Sequence, residues 1–110
     1  METPGSQTFD IIDIPAISAV ARARGILTAV DNTWATPLYF KPLLHGVDLS
    51  IASATKYLSG HSDCLLGAIT ASDEAVFRRI KDVAARWGNC ASPDDCYLVQ
   101  RGLRTLDTRL

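Results

Sequence analysis

The side chains best suited to chemistry follow one short apolar segment. Val47–Ala52 has the character of a strand, and Ser53, Thr55 and Lys56 come directly after it. In an apolar setting a lysine ammonium is costly to desolvate, so the side chain tends toward the neutral, nucleophilic amine. The hydroxyls of Ser53 and Thr55 can hydrogen-bond a phosphate without adding charge. Together these residues predict an aldehyde cofactor held by its phosphate, which is pyridoxal phosphate.

A carboxylate stands where such a cofactor would need one. Asp31 follows Gly25–Val30, an apolar run rich in strand-forming residues. A carboxylate beside the pyridine nitrogen keeps that nitrogen protonated, so that the ring can accept electrons. Twenty-five residues separate Asp31 from Lys56 (56 − 31), which is enough for a strand end, a crossover and the next strand. We therefore expect the two side chains on opposite sides of one ring, beyond the carboxyl ends of neighbouring strands.

The same residues have other interpretations. Asp31 could cap a turn, and Lys56 could be a solvated loop lysine. Ser53 and Lys56 also match the S-x-x-K motif of serine acyl-transfer enzymes. That motif places its serine at the start of a helix and needs S-D-N and K-T-G partners, which this sequence lacks. The cofactor hypothesis explains more of the pattern than either alternative.

Side chains of the kinds that bind metals also occur near the lysine. Their spacing matches no zinc motif, and a small cluster of this sort is usually a hydrogen-bonded turn. The sequence therefore predicts no metal site. The side chains concerned are His45, His61, Asp63 and Cys64.

Composition limits the class of protein. With 110 residues, 47% of them hydrophobic, and a formal charge of −1, the chain is typical of a globular segment that can bury a modest core. No basic excess favours nucleic acid, no apolar run is long enough for a membrane span, and the N-terminus lacks the features of a signal peptide. The odd number of cysteines, without C-x-x-C spacing, indicates reduced, buried thiols and a cytoplasmic location. These cysteines are Cys64, Cys90 and Cys96.

Strand and helix signals alternate along the chain. Strands are predicted at 26–30, 47–52 and 68–71, and one helical turn is predicted near Pro42–His45 in an otherwise irregular loop. A helix is predicted from an Asp13 cap to about Arg24, with an apolar face of Ile14, Ile17, Val20 and Ala21. Two more helices are predicted, one from Ser72 or Asp73 to about Trp87 and one starting at Ser92-Pro93. This order favours an α/β fold with a mainly parallel sheet. Because few strands are visible, the chain looks like the middle of a larger domain.

Two stretches carry a resemblance to a known family. Asp31-Asn-Thr-Trp-Ala-Thr-Pro37 and Ser53-Ala-Thr-Lys-Tyr-Leu-Ser-Gly-His-Ser-Asp63 resemble the cysteine/methionine-metabolism enzymes that use pyridoxal phosphate, and the branch most similar is that of the bacterial cystathionine β-lyases. The resemblance extends from Glu2 to Leu106. It implies that residues 1–110 form the central part of the cofactor-binding large domain of fold-type I enzymes, a mainly parallel three-layer sandwich. The preceding part of that domain and the smaller C-terminal domain would be absent.

The resemblance also assigns roles. Lys56 would carry the cofactor and act as the base at the substrate Cα, Asp31 would keep the pyridine nitrogen protonated, and Ser53 and Thr55 would hold the phosphate. Ser6 stands where γ-acting relatives carry an asparagine that approaches the cofactor's phenolic oxygen, so it is a further candidate contact.

The activity implied is a carbon–sulfur β-lyase that converts cystathionine, a small amino-acid thioether, to homocysteine, pyruvate and ammonia. A γ-synthase or γ-lyase activity and a truncated, non-catalytic binding or dimerising module remain the alternatives. Relatives complete the site with residues from other parts of the chain and from a neighbouring subunit, which implies a homo-oligomer. The isolated 110 residues are therefore expected to have little or no lyase activity.

Overall fold

The computed structural model describes residues 1–110. The chain contains three strands, five α-helices and one 3-10 helix, and the second and third strands follow each other without a helix between them. The strands are β1 (Ala29–Asp31), β2 (Leu49–Ser53) and β3 (Gly67–Ala71), and the 3-10 helix is Pro42–His45. The helices are α1 (Ile14–Ala23), α2 (Thr36–Tyr39), α3 (Glu74–Arg86), α4 (Pro93–Leu103) and α5 (Leu106–Arg109).

The predicted helix boundaries have clear local causes. Asp13 caps α1 by accepting a hydrogen bond from the backbone N–H of Ala16. Gly25 lies just beyond the end of α1 with a φ of +66°, a left-handed conformation that glycine adopts without strain. Asp73 and Ser92 cap α3 and α4 in the same way as Asp13 caps α1. The helix α2 was not predicted, since Pro37 favoured an irregular loop.

The three strands form one sheet in the order β1-β2-β3. Strand β1 runs parallel to β2, with Ala29 opposite Leu49 and Asp31 opposite Ile51. Strand β3 runs antiparallel to β2, with Ser53 opposite Gly67. The α/β class is therefore confirmed, although one of the two strand pairs is antiparallel. The connection from β2 to β3 consists of turns with no crossover helix, so the chain returns in the opposite direction.

Two small clusters of buried side chains form the core. The first consists of Ile14, Val30 and Val47, with Ile12 and Phe40 packed against it, and it holds α1 against β1. The second consists of Ala54, Leu58, Val99 and Leu106, and it holds the segment after β2 against α4 and α5. The second cluster determines where the segment containing Lys56 lies.

Several predicted core positions are exposed. On α1, Ile17 and Val20 are 40% and 53% exposed, while Ile14 and Ala21 are buried. Trp87, at the predicted end of α3, is 79% exposed. Helical spacing identifies an apolar face, but whether that face is buried depends on neighbouring elements, and no element of the 110 residues fully covers these side chains.

The expectation of buried thiols was also wrong. The three cysteines are free, as predicted, but Cys90 and Cys96 are exposed and Cys64 is only partly buried. Cys96 lies in the first turn of α4, where its side chain is exposed.

Candidate active site

Two of the predicted site residues lie on the same face of the sheet. Asp31 is opposite Ile51 in the parallel pair, and Ser53 lies two residues beyond Ile51 on the same strand. Since alternate residues of a strand share a face, Asp31 and Ser53 both point to the face opposite Val30. Val30 packs on α1 instead. The pairing register thus brings a carboxylate and a hydroxyl to the carboxyl end of β1 and β2.

Thr33 connects these two strand ends. Its backbone N–H donates to Oδ1 of Asp31 (2.9 Å), and its Oγ1 accepts a hydrogen bond from the backbone N–H of Ser53 (2.8 Å). The backbone N–H of Asn32 donates to the carbonyl of Ile51 (2.7 Å), which continues the ladder one residue past β1. Sequence reasoning did not identify Thr33 as a site residue, because its partner is 20 residues away and only the strand register reveals it.

Lys56 lies in a turn beyond β2 and is exposed. Its backbone N–H donates to the carbonyl of Ser53 (3.0 Å), which closes the turn, while its ammonium has no hydrogen bond or ion pair within the chain. The side chain lines a cleft of about 890 Å³. The other residues that line this cleft are Thr33, Trp34, Thr55, Tyr57, Gly60, Ser62, Cys64 and Arg109.

The cleft contains some of the predicted residues and not others. Thr55 and Lys56 line it, whereas Asp31 and Ser53 do not, although Thr33, which bonds to both, does. Trp34 lines the cleft with 49% of its surface exposed, and its ring meets that of Phe9 edge to face. The strand ends and the lysine therefore adjoin one cleft through Thr33.

The two hydroxyls expected to hold a phosphate differ in availability. Oγ of Ser53 has no hydrogen bond within the chain, so its proton can be donated to a ligand. Oγ1 of Thr55 accepts from the backbone N–H of Leu66 (2.9 Å) and donates to the carbonyl of Leu66 (3.2 Å). A hydroxyl has one proton to donate, so Thr55 would have to release Leu66 before donating to a phosphate. Its phosphate role stays a prediction.

Ser6 lies near the same edge of the sheet but is already paired. Its hydroxyl donates to the carboxylate of Glu2, at 2.8 Å from each oxygen. Glu2 in turn forms a parallel bridge with Asp31, and the backbone N–H of Asp31 donates to the carbonyl of Met1 (2.8 Å). The N-terminal residues thus extend the sheet beside β1 and bring Ser6 to the Asp31 side of it. A contact from Ser6 to the cofactor stays a prediction.

The structure also shows where the residues of the serine-nucleophile and metal-site alternatives lie. Ser53 ends a strand and does not begin a helix, which disfavours the serine-nucleophile hypothesis. Asp63 pairs with Arg101 of α4, and His61 approaches the carbonyl of Ser59 through Nδ1. The hydrogen bond and positive charge of Arg101 hold the pKa of the Asp63 carboxyl below its ordinary value of 3.8.

The side chains at this edge fit pyridoxal phosphate. The free hydroxyl of Ser53 can donate to the phosphate, and Oδ2 of Asp31, which makes no hydrogen bond within the chain, can accept from the ring nitrogen. Lys56 has an amine without a partner in a cleft large enough for a small aromatic ligand. This donor set suits an anionic, aldehyde-bearing heterocycle better than a metal ion.

Solved structures share this architecture. A cystathionine gamma synthase from Xanthomonas oryzae pv. oryzae, crystallised with aminoacrylate and cysteine, superposes with a TM-score of 0.95 at 42% identity and matches 98% of this chain and 28% of its own. The fold is therefore that of the α/β, fold-type I pyridoxal-phosphate enzymes.

The chain belongs to the family of Cys/Met metabolism PLP-dependent enzymes, whose family model matches residues 1–110. A putative cystathionine beta-lyase from Rhizobium johnstonii is 56% identical over 109 residues, 99% of this chain and 27% of the relative. An L-alanine/L-glutamate racemase from Wolbachia pipientis is 50% identical over 110 residues, all of this chain and 27% of the relative. The chain thus spans about a quarter of the length of these relatives. Its family uses pyridoxal phosphate, as predicted.

No helix of the chain combines the length and the apolar character needed to cross a bilayer.

Proposed function

We propose that this chain forms the central part of the cofactor-binding large domain of a pyridoxal-phosphate-dependent carbon–sulfur lyase that acts on cystathionine. The observation that carries the proposal is the 56% identity with the Rhizobium relative, a putative cystathionine beta-lyase, across 109 residues that include the whole candidate site. The unpaired amine of Lys56 beside the cleft is consistent with it.

The residues of the site would divide the work. When bound, pyridoxal phosphate supplies a ring that accepts the electrons released at the substrate Cα. Asp31 would hold the ring nitrogen, Ser53 the phosphate, and Lys56 the aldehyde carbon. The amine of Lys56, once free, would remove the Cα proton of the substrate, since it has no competing partner in the chain. Thr33 would keep the ends of β1 and β2 at a fixed separation.

The overall reaction would be a β-elimination. Cystathionine loses its Cα proton and its Cβ–S bond breaks, so that homocysteine leaves as the thiol. The remaining three-carbon fragment takes up water and yields pyruvate and ammonia. We further propose that the protein works in the cytoplasm as a homo-oligomer, which the three free cysteines and exposed apolar side chains such as Phe77 support.

Two other activities are supported by particular observations. The Xanthomonas structure is a γ-synthase, and the Wolbachia relative is a racemase with 50% identity to this chain. Removal of a Cα proton by a lysine is a step that elimination and racemisation have in common, so the residues described above suit either outcome. A module that binds or dimerises without catalysis is the remaining alternative.

Cofactor binding can be tested on the chain itself. We expect pyridoxal phosphate to give a visible absorption band, and borohydride reduction to fix the added mass on the peptide that contains Lys56. Lys56→Ala should abolish both signals, whereas Lys81→Ala on the exposed surface of α3 should leave them unchanged. A wild-type chain with neither signal would favour the non-catalytic module.

Turnover can be tested by substituting this chain for the matching segment of the Rhizobium relative. Pyruvate released from cystathionine supports the β-lyase. Formation of 2-oxobutyrate would assign a γ-lyase, and conversion of L-alanine to D-alanine without release of pyruvate would assign a racemase. Lys56→Ala in the same background serves as the inactive control.

A further inference from the structure

The segment that carries Lys56 is held mainly by helices that follow it in sequence. Residues 54–66 form turns and contain no helix or strand. Ala54 and Leu58 are buried against Val99 and Leu106. Lys56, between them, is exposed and has no side-chain partner, so the direction of its amine depends on how firmly the surrounding backbone is held.

Arg109 of α5, which lines the same cleft as Lys56, hydrogen-bonds to this segment. Its Nη1 donates to the carbonyl of Tyr57 (2.9 Å), the residue next to Lys56. Its Nη2 donates to the carbonyl of Gly102 (2.8 Å), and its Nε donates to Oγ1 of Thr105 (3.1 Å). All three nitrogens of one guanidinium are therefore engaged. They join the lysine turn to α4 and to the residue that precedes α5.

The guanidinium also lies close to Gly60, at the end of the lysine turn. A Cβ added to Gly60 would lie 2.0 Å from Nη1 of Arg109 and 2.4 Å from its Cζ, so only glycine leaves room for the arginine there. The backbone N–H of Gly60 donates to the carbonyl of Lys56 (2.7 Å), which makes Gly60 the closing residue of the lysine turn. Arg109 thus contacts the residue after the lysine and the residue that closes the turn.

We propose that Arg109 is a positioning residue that holds the 56–60 turn and thereby directs the amine of Lys56 into the cleft. The inference rests on the proposed function of Lys56 as the cofactor lysine. Arg109 donates to the carbonyls of Tyr57 and Gly102 from two separate nitrogens of a fixed planar fork, a geometry that the single nitrogen of a lysine does not reproduce. The role therefore needs the shape of the guanidinium as well as its charge.

The first test measures the stability of the 56–60 turn in the absence of cofactor. In hydrogen exchange, Arg109→Gln and Arg109→Lys should both speed exchange of the amides of Ser59 and Gly60 by about tenfold, the effect of losing one charge-assisted hydrogen bond. Amides of α1 should exchange at the wild-type rate. Arg104→Gln is the matched control, since it removes an exposed arginine at the end of α4 that makes no side-chain hydrogen bond. Unchanged exchange at 59 and 60 in both Arg109 variants would overturn the proposal.

The second test follows the lysine. The rate at which pyridoxal phosphate becomes reducible onto Lys56 should fall about tenfold in Arg109→Ala, and added methylguanidinium should restore part of it. The proposal would also be overturned if the Arg109 variants showed faster hydrogen exchange in the turn but formed the Lys56 adduct at the wild-type rate. Arg109 would then stabilise the turn without directing the amine. If the wild-type chain forms no adduct, the proposed function fails, and the exchange comparison still decides whether Arg109 holds the turn.

Discussion

Replacement of Gly102 by alanine tests how tightly α4 packs on the lysine turn. A Cβ at this position would lie 2.2 Å from the carbonyl oxygen of Ser59 and 2.4 Å from that of Leu58. Ordinary van der Waals contact begins at 3.4 Å, so the helix or the turn would have to move by about 1.2 Å (3.4 − 2.2). Both obstacles are backbone atoms of a buried segment and cannot turn aside as a flexible side chain would.

Two opposing effects set the size of the change. Glycine to alanine inside a helix normally stabilises by about 1 kcal/mol, since glycine loses more conformational freedom on folding. Overpacking a buried contact costs about 1–3 kcal/mol and occasionally more. With both contacts this short, we expect a cost at the upper end of this range, about 2–3 kcal/mol, and therefore a net loss of about 1–2 kcal/mol. For a domain of this size each kcal/mol lowers Tm by about 4–8 °C.

Thermal and urea unfolding followed by circular dichroism would measure the effect. Gln100→Ala, at an exposed position of the same helix, is the control and should change stability by less than about 0.5 kcal/mol. Because the turn that moves carries Lys56, Gly102→Ala should also weaken binding of pyridoxal phosphate. A rise in Tm would refute the reasoning, since it would mean that the helix propensity of alanine outweighs the contact with Ser59.

Three further predictions concern the site. Thr33→Val removes the oxygen that accepts a hydrogen bond from the Ser53 amide. Because Thr33 is only 7% exposed, the unpaired amide should lower the free energy of unfolding in urea by about 1–3 kcal/mol. A stability equal to that of wild type would contradict this. Ser53→Ala should weaken binding of pyridoxal phosphate about tenfold in an absorbance titration. It should change the free energy of unfolding by less than about 0.5 kcal/mol, since the Ser53 hydroxyl has no partner in the chain. An affinity equal to that of wild type would remove Ser53 from the phosphate site. Asp63→Asn should lower the free energy of unfolding at neutral pH, and the difference from wild type should shrink as the pH falls below about 4. The reason is that Arg101 depresses the folded-state pKa of Asp63. The stabilisation from the ionised carboxylate is therefore present above the unfolded-state pKa and is lost as the pH drops through the folded-state pKa. If the difference in free energy of unfolding between wild type and Asp63→Asn does not shrink on acidification, the Asp63–Arg101 pair is not the source of that difference.

Local signals account for the features that the sequence predicted. Asp13, Asp73 and Ser92 cap helices because a side-chain oxygen needs only an amide three residues ahead. The strands lie close to their predicted positions, although β1 begins at Ala29, later than the predicted 26. Lys56 follows a strand as predicted, since apolar runs bounded by polar residues mark strand ends regardless of the rest of the chain.

Tertiary structure decided how those local pieces combine, because the deciding contacts join residues far apart in sequence. The hydrogen bond from Ser53 to Thr33 depends on the parallel register of β1 and β2. The donation from Arg109 to Tyr57 spans 52 residues, and no spacing rule links them. The exposed fraction of Trp87 likewise depends on what else is present to cover α3. Periodicity reports which faces of an element are apolar, and only the packed chain determines which of them meet.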